Sequence, residues 1–205
     1  MIRNVVFDMG GVLLDYQPMK TCLRLADSPQ DAEMIRRALF LAPEWEQKLD
    51  RGLIAEEEML AVCQSRLPAR AQREAAARIF ADYHNDTLTP KPGMEWVVED
   101  LYRQGFRVYL LSNTNIRVHR FLHKLPGVYV FDGFLFSYQE KLLKPDPRIY
   151  QRLLEKFSLR AGECLFVDDM QPNVEVAVAV GLQGYCFKDG DVERFKGFLA
   201  KLSSA

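Results

Sequence analysis

An apolar run that ends in a carboxylate and two glycines constrains this chain most: Arg3-Asn4-Val5-Val6-Phe7-Asp8-Met9-Gly10-Gly11-Val12. Its β-branched and aromatic residues favour a strand. Asp8 then sits at the C-terminal tip, and the glycines form a turn with room for a ligand beside the backbone. Two residues beyond Asp8 stands Gly10, which has no side chain to offer.

Further short apolar runs at about 106–111, 134–136, 164–168 and 183–187 read as strands. Helical patterns separate the later ones. Met94, Val97, Val98 and Leu101 repeat at helical spacing and Gly105 stops them. Ile149, Tyr150, Leu153, Leu154 and Phe157 form a second stripe. Pro172, at a first helical position, opens a third with Val174, Ala177 and Val178. Strand alternating with helix predicts an α/β fold: a Rossmann-like parallel sheet with helices on both faces.

Residues 16–90 break that rhythm. They show almost no alternation but helical stretches at about 30–42, 44–51, 55–66 and 69–84. Gly52 closes the second, and Glu56-Glu57-Glu58 suits the start of the third. Thr89-Pro90-Lys91-Pro92-Gly93 reads as a stiff return. The expected organisation is a core of residues 1–15 and 91–205 with an inserted helical cap at 16–90.

Lys and Arg number 27 against 28 Asp and Glu in 205 residues, a formal charge of -1, so no basic face for nucleic acid is expected. Cys22, Cys63, Cys164 and Cys186 are scattered, which argues against disulfides and a cysteine zinc site. No apolar stretch approaches the roughly 20 residues that cross a bilayer. The first residues run straight into a strand, so no signal peptide and a cytoplasmic location are expected. Oligomeric state stays open, because pattern alone does not separate an exposed apolar face from core.

Polar residues follow three of the strands: Asp8 after the first, Ser112 and Asn113 after Val108-Tyr109-Leu110-Leu111, Asp168 and Asp169 after Leu165-Phe166-Val167. Ligands of an open parallel sheet bind outside the carboxyl ends of its strands, so these groups can meet in one crevice. Lys144, before Pro145, can bring a cation to the same rim. Three carboxylates suit a hard ion such as Mg²⁺. A hydroxyl and an ammonium suit phosphoryl oxygens, and a strand-tip carboxylate can serve as nucleophile.

With these motifs in order, the chain resembles the haloacid dehalogenase-like superfamily, most of whose members are phosphatases. Asp8-Met9-Gly10-Gly11-Val12 is similar to its first motif, Ser112 to the second, Lys144 to the third, and Asp168-Asp169 with Asn173 to the fourth. Leu111-Ser112-Asn113-Thr114-Asn115, Lys144-Pro145-Asp146-Pro147-Arg148-Ile149-Tyr150 and Phe166-Val167-Asp168-Asp169 most resemble a bacterial subgroup. That subgroup includes glucose-1-phosphate phosphatase and is similar to the amino-terminal phosphatase domain of soluble epoxide hydrolase. The resemblance implies a Mg²⁺-dependent phosphohydrolase for a small phosphorylated metabolite, a sugar phosphate in that subgroup, with no nucleic-acid or membrane partner. It implies Asp8 as nucleophile, and Mg²⁺ held by Asp8, the Gly10 carbonyl and Asp169, with Asp168 acting directly or through water. Ser112 and Asn113 would bind phosphoryl oxygens, Lys144 would stabilise the transferring charge, and Asn173 would support the metal site.

The departure is Gly10, where most phosphatases of the family carry an aspartate that protonates the leaving oxygen and later activates water. Loss of such a group costs about 10²–10⁴ in rate. Three consequences stay open: a substrate with a good leaving group, replacement by a cap carboxylate such as Glu44 or by water, or slow turnover suited to a regulatory or binding role. The family's dehalogenases also lack that aspartate but need no Mg²⁺, and the Asp168-Asp169 pair argues against them. Other residues read as structural: Asp15 as a loop residue, His119 and His123 as an exposed helical pair without a third ligand, and Trp45 as packing between cap helices. His84 has no partner in the pattern, and Arg51 lies where a cap could close over a substrate.

Overall fold

The computed structural model describes residues 1–203. In chain order its elements are β1 (Asn4–Phe7), β2 (Leu14–Tyr16), α1 (Pro18–Leu25), α2 (Pro29–Leu39), a π-helical turn (Trp45–Asp50), α3 (Glu56–Ser65), α4 (Arg70–Asp86) and β3 (Leu88–Pro90). Then follow α5 (Met94–Arg103), β4 (Arg107–Ser112), α6 (Val118–Phe121), β5 (Phe131–Phe136), α7 (Ser137–Glu140), α8 (Pro147–Lys156), β6 (Cys164–Asp168), α9 (Gln171–Ala179), β7 (Gln183–Cys186) and α10 (Val192–Ser203).

The main sheet is parallel throughout, in the order β5-β4-β1-β6-β7. β1 lies at its centre, which is why Val5, Val6 and Phe7 are apolar without a break and fully buried. Val5 and Phe7 face the layer of α5 and α10, against Val97, Leu101 and Phe195. Val6 faces the layer of α8 and α9, against Ile149, Tyr150 and Ala177. This is the expected α/β architecture, with helices on both faces.

Two elements differ from the sequence reading. β5 begins at Phe131 rather than 134, although Asp132 and Gly133 interrupt its apolar run. The Asp132 carboxylate accepts from the Val108 N–H at 2.8 Å, where the β4–β5 register shifts, and the Phe157 ring fills the space a side chain at 133 would need. In α9, Val178 lies at the edge of the stripe and is half exposed, while Val174 and Ala177 are buried.

Residues 18–86 form α1 to α4 and the π-helical turn around a separate apolar cluster that includes Ile35, Leu39, Trp45, Met59 and Ile79. The two-stranded antiparallel ribbon β2–β3 joins this bundle to the sheet, pairing Leu14 with Pro90 and Tyr16 with Leu88. Strands this short carry no readable alternation, and α1 also falls where the sequence reading placed no helix. The loop after β4 ties the two parts together from the other side. Arg117, buried, donates to the α4 carbonyls of Phe80 (2.7 Å) and Ala81 (3.2 Å), pairs with Glu56, and lies 4.2 Å over the Phe80 ring. Among the described residues no helix is long and apolar enough to cross a membrane.

Candidate active site

Because β1, β4 and β6 run parallel, their C-terminal tips open on one edge. Asp8 follows β1 directly, and its N–H donates to the Val167 carbonyl at 2.8 Å. The chain then turns tightly, with Leu13 and Leu14 donating to the Met9 carbonyl. Gly11 has φ +74°, and a Cβ there would collide with the Asp169 carboxylate, so glycine is needed twice over. Gly10 is different. Its φ lies outside the left-handed region and a Cβ would meet nothing within 4 Å, so neither backbone nor space demands glycine there.

The Lys144 ammonium sits between two carboxylates, 2.7 Å from Asp8 Oδ1 and 2.7 Å from Asp168 Oδ2. Burial works against its charge, but the two acids outweigh burial and hold the ammonium above its ordinary range. Asp8 is pushed up by burial, with Lys144 opposing and Asp168 adding to the rise. Asp169, half-buried, is raised by burial and then by the charge of Asp168.

Asp168 is wholly buried and its oxygens are occupied: beyond Lys144 they accept from Asn173 Nδ2 at 3.0 and 3.1 Å and from the Met170 N–H at 2.8 Å. Asn173 is fixed in turn, its carbonyl accepting from the Tyr150 hydroxyl at 2.9 Å. Asn113 donates to the Lys144 carbonyl at 3.0 Å and accepts from the Lys144 N–H at 2.8 Å, so its amide spans the lysine's own backbone, and it also donates to Glu46. The Lys144–Pro145 peptide is cis. Ser112 ends β4, buried, and its hydroxyl makes only a 3.5 Å contact with the Asn113 carbonyl. All residues picked out by motif thus converge, with Asn113 turned towards Lys144 and Ser112 left as the less committed donor.

Asp8, Asp168 and Asp169 each offer an oxygen, and these lie within 4.8 Å of one another. One ammonium faces the three carboxylates, which leaves a surplus of negative charge on hard oxygen donors. That donor set fits a small divalent ion such as Mg²⁺. Asp169 is the least committed of the three, whereas Asp168 is already engaged on both oxygens.

A cavity of about 270 Å³ opens over the strand tips and runs under the helices. Sequence reasoning missed much of its lining: Phe40, Glu46, Asp50, Tyr83, Asn115 and Phe121. Asp50 is buried at the end of the π-helical turn and accepts from Asn115 Nδ2 at 2.7 Å. Burial pushes its carboxyl up to about 7, with the Asn115 bond opposing. Glu44, a candidate from sequence, is absent from the lining and instead pairs with Arg66 at 2.8 Å. Trp45 packs with Phe40, Phe80 and Tyr83, as expected, and also lines the cavity. Asp15 pairs with Lys91, His119 contacts the Tyr138 hydroxyl at 2.8 Å, and Arg51 donates to the Lys141 carbonyl at 2.9 Å.

Residues 2–181 match a family model described as a haloacid dehalogenase-like hydrolase. The chain is 31% identical over 194 residues to the sesquiterpene phosphatase astK of Aspergillus oryzae, covering 91% of this chain and 90% of that one. It is 25% identical to a D-ribitol-5-phosphate phosphatase of Bacteroides thetaiotaomicron, covering 93% and 94%. Among solved structures it is similar to an enzyme of the same family from Bacteroides thetaiotaomicron, crystallised with magnesium and inorganic phosphate. There the TM-score is 0.70 at 23% identity, over 93% of this chain and 96% of that one.

Proposed function

The chain belongs to the haloacid dehalogenase-like hydrolases, and from that premise we propose that it hydrolyses the phosphate monoester of a small metabolite through a phosphoryl group carried on Asp8. The observation that carries the reading is the Lys144 ammonium set between Asp8 and Asp168, with Asp169 beside them. Curated relatives that span most of the chain are named as phosphatases of a sesquiterpene and of a polyol phosphate, which supports an ester of phosphate as substrate.

Asp8, Asp169 and the Gly10 carbonyl would hold Mg²⁺, with Asp168 supporting through water because its own oxygens are engaged. When bound, the ion neutralises charge on the phosphoryl oxygens. The Asp8 carboxylate attacks phosphorus, a bond from its oxygen to phosphorus forms, and the bond to the ester oxygen breaks; water then attacks the phosphoryl group, the bond to Asp8 breaks and inorganic phosphate leaves. Lys144 opposes the rise that burial imposes on Asp8 and faces the charge that develops. The Ser112 hydroxyl donates to a phosphoryl oxygen, and Asn113 fixes Lys144. Residues 16–90 serve as the cap over the core of 1–15 and 91–205, keeping water from the site before attack.

Gly10 offers the departing oxygen no proton. Asp50 and Glu46 are the carboxyl groups of the helical side that reach the cavity. The sugar phosphate expected from sequence is favoured by the polyol-phosphate relative, a hydrocarbon phosphate by the sesquiterpene relative. A second reading, a slow regulatory protein that keeps phospho-Asp8, is favoured by Gly10 alone.

Phosphate release from a panel of metabolite esters, with Mg²⁺ or EDTA, tests the proposal. Metal-dependent release that vanishes in Asp8→Asn is expected. Folded protein that stays silent across the panel while accumulating phospho-Asp8 supports the slow regulatory reading, and silence without phosphoenzyme sinks both.

A further inference from the structure

The cavity changes character along its length. Asp8, Lys144 and Ser112 occupy the strand-tip end, with Met170 exposed at its rim, whereas the far wall is formed by Phe40, Trp45, Tyr83, Leu88 and Phe121. All five of these are buried. Phe40, Trp45 and Tyr83 brace one another with ring centroids 4.9 to 5.5 Å apart, so the wall is rigid.

Besides the hydroxyls of Tyr16 and Thr114, the polar groups of that wall are turned on one another. Asn115 donates to Asp50 and accepts from the Arg117 N–H at 3.1 Å and from the Tyr83 hydroxyl at 3.4 Å. Glu46 accepts from Asn113 at 3.3 Å. Among the described residues neither Arg nor His lines the cavity, and the one Lys that does is committed to Asp8 and Asp168. Tyr16 and Thr114 could meet one or two hydroxyls of a polyol, and each further one would be left unpaired, at a loss of roughly tenfold to a hundredfold in binding. A hydrocarbon or aryl group would instead cover ring faces that are otherwise wetted, at a gain of about fourfold per methylene buried.

We infer that the alcohol of the ester is apolar: the substrate is the phosphate monoester of a hydrocarbon or aryl alcohol, its phosphate on the strand tips and its apolar part against the aromatic wall. This rests on the phosphohydrolase reading and narrows it.

The test uses the intact wild-type chain with Mg²⁺. Initial rates are measured on ethyl, hexyl and decyl phosphate and on 2-naphthyl phosphate, beside glucose 1-phosphate and ribitol 5-phosphate. The expected result is a kcat/KM that rises along the alkyl series and exceeds the polyol esters by about a hundredfold or more. Polyol esters turned over as well as the apolar ones, or better, overturn the inference and leave the phosphohydrolase reading standing. If no ester is turned over, that reading falls, and calorimetry decides the inference separately. Decylphosphonate bound at least thirtyfold more tightly than methylphosphonate upholds the apolar wall, and equal affinities overturn it.

Discussion

At the strand-tip end of the cavity the charged groups are buried and held by several partners each: Lys144 by Asp8 and Asp168, Asp168 by Lys144, Asn173 and the Met170 N–H. At the helical end Phe40, Trp45 and Tyr83 hold one another by ring contact, and Asn115 and Asp50 are paired within the wall. The first arrangement fixes charge in a place where water would otherwise compete for it. The second fixes shape and leaves little for a polar ligand to bond. On the proposed function, chemistry and choice of substrate fall to different parts of the chain, and substitutions should separate them.

The largest effect is expected at Asp8. Asp8→Asn should lower kcat by roughly 10⁴ or more, since a nucleophile's loss is not made up by its neighbours. Phosphate release under saturating ester measures it, and retained turnover would remove Asp8 from the reaction. Lys144→Met should cost roughly 10²–10³ in kcat, the scale of removing one electrostatic donor. It should also destabilise the fold by about 3–5 kcal/mol, because Asp8 and Asp168 are left buried without their cation. Urea unfolding separates the two losses.

Gly10→Asp tests whether the strand-tip end lacks only an acid. Since nothing stands within 4 Å of a Cβ there, the fold should be retained. Turnover of alkyl esters should rise by roughly 10² if the missing proton donor limits departure. Aryl esters, whose oxygen leaves without help, should change little. An equal rise for both would show that charge rather than proton transfer is responsible.

The smallest effect concerns Asp50, at the opposite end. Its folded carboxyl stands at about 7 against an ordinary 3.8, so the unfolded chain gives up the proton first. Between pH 4 and 7 the folded state binds more protons, and stability must fall as pH rises. This contribution is complete below about pH 4 and is lost on passing 7. Asp50→Asn has nothing to ionise, so its stability relative to wild type should improve by about 1 to 4 kcal/mol across that window. Melting curves at pH 4, 6 and 8 give the result, and parallel shifts in both proteins would refute it.

The same division explains what could be read from sequence. Asp8, Ser112 and the Asp168-Asp169 pair each terminate a parallel strand, so strand signals alone bring them to one edge. Lys144 needed only its place before the helix that starts at Pro147. The link from Asn115 to Asp50 spans 65 positions and leaves no local mark, and nothing distinguishes Asp50 in Leu49-Asp50-Arg51-Gly52 from a turn residue. Phe40 and Tyr83 look like ordinary bundle packing, which they also are. The ribbon of β2 and β3 escaped because three residues cannot show a period, and β5 was foreshortened because Asp132 interrupts the apolar run while supplying a bond to Val108.

Arg117 gives the helices a grip on the sheet that is also a line of communication. It lies on the loop that follows Ser112 and carries Asn113, and its guanidinium reaches the α4 carbonyls while Asn115 reaches Asp50. If the aromatic wall seats the apolar part of a substrate as proposed, these bonds tie the position of that wall to the strand tip that carries the hydroxyl and to the residue that clasps Lys144.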